Sequence, residues 1–128
     1  MVAFERRRFD LVQRLTDHPA PAIAAVTAAE LLIGVERADT PERRLRRESF
    51  VQSIFAGMPI IPFDLPQARL YAVHFAALAR RGELIGDCDL QIAVTALSLG
   101  YDLATLNERE FRRVTGLTLV DVSGYATP

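Results

Sequence analysis

The sequence has no lysine, a single cysteine and only two histidines in its 128 residues. One cysteine, Cys88, can build neither a disulfide framework nor a cysteine-based zinc site, and it fits a reducing compartment. No apolar run approaches the roughly 20 residues that span a bilayer, and no signal-type apolar region comes after residues 1–8. A cytoplasmic location is therefore expected. An excess of charge is also missing: 15 basic residues stand against 16 acidic ones, for a net charge of −1. Such a chain does not coat nucleic acid by bulk electrostatics, so any polyanion must be met locally. Glycine and proline number seven each and half the residues are hydrophobic, which excludes disordered, collagen-like and low-complexity chains.

Every basic residue is an arginine, and they cluster at Arg6-Arg7-Arg8, Arg43-Arg44, Arg46-Arg47, Arg80-Arg81 and Arg112-Arg113. A guanidinium meets phosphate as a planar fork. The plainer role is a solvated helix face, with Glu36, Glu42, Glu48 and Glu83 as partners.

No linker or repeat interrupts the chain, so a single domain is expected over residues 1–128. A weak apolar pattern predicts a helix over 2–15. The run 22–26 reads as a strand buried on both faces of a parallel sheet. Thr27 then looks like the cap of a helix over 28–35, with Glu30 completing a Thr-x-x-Glu capping box. Helices are predicted over 43–55, 66–81 and 88–99, the last two ending at Gly82 and Gly100 and the last capped by Asp87. A short helix begins after Asn107. Strands are expected at 59–63, 101–105 and 117–122. Strands alternating with helices give an α/β fold with a parallel sheet.

In such sheets the turns after the strands converge, and ligands bind beyond the strand ends. These turns carry Glu30, then Asp87 and Asp89, then Asn107 and Glu110. Clustered carboxylates with no nearby histidine and only the lone Cys88, which cannot build a cysteine-based zinc site, point to a hard cation, Mg²⁺ or Mn²⁺, rather than zinc. Each of these residues also has an ordinary role as a cap or as a charge placed on a helix dipole.

The segments Thr27-Ala-Ala-Glu30-Leu-Leu-Ile-Gly34-Val, Ile85-Gly86-Asp-Cys-Asp89-Leu-Gln-Ile92-Ala93 and Leu103-Ala-Thr105-Leu-Asn107-Glu-Arg-Glu110-Phe111 together resemble the VapC-type PIN domain. The resemblance covers nearly the whole chain, and its most specific piece is Ile-Gly-x-x-Asp-x-x-Ile-Ala. It implies a three-layer α/β/α fold with a mostly parallel central sheet. It also implies a Mg²⁺-dependent endoribonuclease (Mn²⁺ being possible), the toxin of a toxin–antitoxin pair, dimeric and neutralised by a VapB-type antitoxin. By position it implies Glu30 and Asp89 as metal ligands, Asn107 and Glu110 as further catalytic groups, and Thr105 as a support behind them. Asp87 lies outside the motif. His18 and His74 do not match it, and histidine-based ribonuclease chemistry is disfavoured; Tyr71, Phe75 and Leu78 read as core or dimer surface.

One departure stands out. Members of this family begin with a buried strand ending in Asp, and residues 1–6 resemble the stretch just after that Asp. The expectation is an N-terminally truncated PIN-like domain whose natural coding start lies upstream. Two alternatives stand beside it: a catalytically impaired PIN-like protein that keeps only its dimer and antitoxin surfaces, and a plain α/β domain whose caps mimic a site.

Overall fold

The apolar run ahead of Thr27 stays extended for only two paired residues before the chain turns helical. The structure, a computed structural model, describes residues 21–121. In chain order it runs β1 (Ile23–Ala24), α1 (Ala25–Glu36), α2 (Pro41–Gly57), β2 (Ile60–Ile61), α3 (Leu65–Arg81), α4 (Asp87–Leu99) and α5 (Glu108–Phe111). The helix expected over 2–15, the Arg6–Arg8 cluster, His18 and the end of the last strand at Val122 lie outside the described residues.

Strand β1 pairs in parallel with β2, Ile23 opposite Ile60 and Ala24 opposite Ile61. Pro59 and Pro62 bracket β2, and Pro62 has no N–H to extend the ladder, so the expected five-residue strands shrink to two. A second parallel contact joins Leu103 to Leu119, with Leu103 N–H donating to Thr118 O at 2.9 Å and Val120 N–H to Leu103 O at 2.8 Å. The expected strands 101–105 and 117–122 are thus reduced to a bridge. Among the described residues no backbone pairing joins the β1–β2 half to the Leu103–Leu119 half.

Side chains alternate across this layer as extended backbone requires. Ile23 and Ala104 enter one core with Ala28, Ile54 and Met58; Ala24 and Leu103 enter the other with Leu78, Leu90, Ala93 and Phe111. The α1–α2 hairpin therefore contributes to one face, and α3, α4 and α5 cover the other. This is the expected α/β sandwich of helices about a parallel layer.

The helix ends obey local chemistry. Thr40 Oγ1 accepts from Arg43 N–H at 3.1 Å and starts α2 two residues earlier than the apolar stripe alone suggests. Asp64 and Gln67 form a capping box at the start of α3. Gly82 and Gly100 both close their helices at φ 66°, a left-handed conformation that only glycine adopts without strain.

Two capping roles expected from the sequence are corrected here. Ala24, not Thr27, occupies the N-cap of α1, because Ala25 and Val26 join the helix; the Thr27-x-x-Glu30 spacing is no capping box. Once β1 has made its two pairs, alanine's strong helix preference takes over. Asp87 is the first residue of α4 rather than its cap, a position held by Gly86, and makes no capping bond.

Candidate active site

Helix α4 begins with two carboxylates in its first turn, Asp87 and Asp89, on either side of Cys88. Asp89 is half-buried, while Asp87 and Cys88 are exposed. A Cβ built on Gly86 would lie 3.9 Å from Asp89 Oδ2, which locates this carboxylate over the start of its own helix. Acidic groups at a helix N-terminus are favoured by the backbone dipole.

Glu30 arrives from α1, which packs against α4. The Cys88 thiol reports on this meeting. Its pKa is raised first by burial and then by the negative charges of Glu30, Asp89 and Asp87. Glu30 and Asp89, remote in sequence, thus act on the same sulfur.

The third turn is built differently. Thr105 is buried, and its hydroxyl accepts the Asn107 N–H at 3.0 Å, fixing the turn after the Leu103 segment. Asn107 sits at the N-cap of α5 but makes no side-chain capping bond, so the expected Asn107-x-x-Glu110 cap is not formed. Asn107 and Glu110 are both half-buried, and Phe111 locks α5 into the core it shares with Leu90 of α4. Glu110 is not among the charges that act on Cys88.

Two residues near this site carry no signal of such a place in the sequence. Tyr71 of α3 donates its hydroxyl to Asp87 Oδ1 at 3.1 Å and stacks on Phe75, with ring centroids 6.1 Å apart and planes 16° apart. Burial, then the bond to Asp87, raises the phenol's pKa, so it remains a donor. Helical spacing marks Tyr71 as core or dimer surface, and nothing local links it to Asp87. Thr27, one turn before Glu30, is 2% exposed, and its hydroxyl has no hydrogen-bond partner among the described residues. An orphaned buried hydroxyl costs on the order of 1–3 kcal/mol.

The arginine clusters divide. Arg43 holds Asp39 at 2.8 Å and Arg44 holds Glu36 at 2.8 Å, and these guanidiniums keep both carboxyls below their usual range. Arg112 pairs with Glu108, and Arg81 lies 3.6 Å from Glu83. All are exposed pairs, whose net worth is small. Arg46, Arg80 and Arg109 form no ion pair with a described residue.

Among the described residues no group of three or more His, Cys, Asp or Glu is arranged to hold a metal ion. The donor set of Glu30 and Asp89 is all oxygen and carries two negative charges. That suits Mg²⁺, which takes one or two carboxylates and keeps several waters.

A family model described as PIN domain matches residues 2–117. Ribonuclease VapC1 of Rickettsia felis is 32% identical over 123 residues, covering 96% of this chain and 91% of that protein. The chain belongs to the VapC ribonucleases of the PIN-domain family. Another such relative, the tRNA(fMet)-specific endonuclease VapC of Shigella flexneri, is 35% identical over 92% of this chain and 83% of its own length. The VapC-type fold is also that of VapBC2 from Rickettsia felis, solved bound to a DNA fragment from its promoter. It superimposes with a TM-score of 0.75 at 28% identity, over 85% of this chain and 80% of that one.

Proposed function

We propose that the chain is a metal-dependent endoribonuclease, the toxin of a toxin–antitoxin pair, acting on RNA in the cytoplasm and held by a VapB-type antitoxin. The observation that carries this reading is the packing of α1, which bears Glu30, against α4, which bears Asp89 in its first turn, so that both charges push up the Cys88 thiol. The names of the relatives support the activity, and the VapBC complexes among the structural neighbours support the antitoxin.

Glu30 and Asp89 are the residues that would hold Mg²⁺ or Mn²⁺. When bound, a divalent cation supplies an activated water and offsets charge developing on the phosphate. Without a cation, these carboxylates repel an RNA phosphate. The Asn107 amide can orient a water or a phosphate oxygen, and Glu110 can accept a proton. Thr105 keeps Asn107 in place through the turn it closes. The unpaired arginines offer forks for the RNA backbone, and binding through them weakens with salt.

The test is cleavage of RNA by the folded chain with and without Mg²⁺ or Mn²⁺. Asp89→Asn is expected to lower the rate at least about 100-fold, in line with removing one electrostatic stabiliser from an active site. A folded chain that neither cleaves RNA nor binds these metals in a calorimetric titration would overturn the reading. That result would favour a catalytically impaired PIN-like protein that retains partner binding.

A further inference from the structure

Two arginines from remote parts of the chain interlock beside the loop that leads into α4. Arg81, in the last turn of α3, donates from Nη2 to Arg113 O at 2.7 Å, and Arg113 donates from Nη1 to Leu84 O at 3.2 Å. An arginine in a last turn ordinarily serves the free carbonyls of its own helix. Arg81 instead reaches 32 positions along the chain, and Arg113 reaches back 29. Both anchors are neutral carbonyl oxygens, so neither guanidinium has its charge cancelled by them. Among the described residues one carboxylate opposes the pair, Glu83, whose Oε1 lies 3.6 Å from Arg81 Nε. Arg113 forms no ion pair with a described residue. Exposed Arg80, next to Arg81 in sequence, adds to the positive field.

We propose that Arg81 and Arg113 form a seat for one backbone phosphate of the RNA, beside the candidate carboxylates rather than at them. A guanidinium carries five N–H donors in a planar fork, and a carbonyl bond leaves most of them for a ligand. These forks are held by main chain, which lowers the cost of ordering them around an anion. Their position selects the ligand. The Leu84 carbonyl that Arg113 holds belongs to a residue no more than about 7 Å of extended chain from Gly86, the N-cap of the helix that carries Asp89. Arg113 itself follows α5 by two residues, and α5 starts from Asn107 and contains Glu110. Both arginines are thus tied to the segments that bear the candidate groups, and a strand whose reacting phosphate meets those groups has a neighbouring phosphate at the seat. The seat deepens the reading of the chain as an RNA-cutting enzyme and rests on it, but it involves no metal.

Binding of a fluorescent single-stranded RNA to the full chain, followed by anisotropy in EDTA across a salt series, tests the seat without cleavage. Arg81→Gln combined with Arg113→Gln is expected to weaken binding about tenfold. The slope of log K against log salt should become shallower by about 0.7, the value for one phosphate of a single strand. Arg43→Gln combined with Arg44→Gln removes the same charge from guanidiniums already held by Asp39 and Glu36, and should change neither quantity. Leu84→Glu keeps the carbonyl bond, sets an acid beside the arginines and should also weaken binding; it decides the matter if circular dichroism shows that the double Gln variant does not fold. Unchanged binding in the folded variants overturns the proposal, as does an equal loss in the Arg43 and Arg44 control, because bulk charge then suffices. Weaker binding with an unchanged slope marks a lost brace rather than a lost phosphate contact and overturns it too, as does a loss confined to antitoxin binding. A natural chain that binds RNA but does not cleave it with Mg²⁺ sinks the cleavage and not the seat. Cleavage by the natural chain, with undiminished binding by the double Gln variant, sinks the seat and not the cleavage.

Discussion

Cys88 is the reporter of the candidate site, because its sulfur lies where the charges of two remote helices overlap. Removing one of those charges must ease thiolate formation. Glu30→Gln is therefore expected to lower the Cys88 pKa and to speed its alkylation by iodoacetamide near pH 8, with rates followed by mass spectrometry. An unchanged rate profile would mean that Glu30 and Asp89 do not share a site. Tyr71 offers a second check at this scale. Tyr71→Phe removes a hydroxyl bond to Asp87 and should cost about 1 kcal/mol in denaturant unfolding, since the bond is partly solvated. This bond spans 16 positions and two helices, so no sequence pattern announces it. Glu30 is legible because it lies near a strand-to-helix turn; Asp89 is legible from its place in the first turn of α4, although α4 follows a loop from α3 and not a strand as expected.

Among the elements, the helices are legible in the sequence and the strands poorly so, for different reasons. Gly82 and Gly100 end their helices as expected because a left-handed residue after a helix is a local demand. The strands come out shorter than expected because apolar runs record burial, whereas pairing depends on neighbours and on prolines such as Pro62. At Thr27 the spacing to Glu30 imitates a capping box, yet the preceding alanine and valine are taken into the helix and leave the threonine hydroxyl buried without a partner among the described residues. The turn after Leu103 can be tested directly. Thr105→Val keeps the shape but removes the acceptor for Asn107 N–H, and should lower kcat for RNA cleavage while leaving the thermal midpoint within a few degrees. Thr105→Ser should restore the rate, because its hydroxyl can close the same turn.

For the molecule as a whole, His74 links stability to pH near neutrality. Burial, and then the charge of Arg81, hold its imidazole below the ordinary value of 6.5. The unfolded chain thus takes up this proton at a higher pH than the folded one does. The stability tied to the neutral histidine is complete above the unfolded value and is lost as pH falls toward the folded one. The thermal midpoint should drop between about pH 7 and pH 5 more in the natural chain than in His74→Gln. Among the described residues the parallel pairing comes in two halves, and the groups of the candidate site are divided between them. Glu30 rides on the helix leaving β1, while Asn107 rides on the turn leaving the Leu103 segment. Helix α4 packs on β1 and shares a core with Leu103, so it splints the halves together while carrying Asp89 at its tip. The relative placement of Glu30, Asp89 and Asn107 then depends on one rod, so a void opened beside Val94 is expected to shift these groups against one another before it unravels the fold.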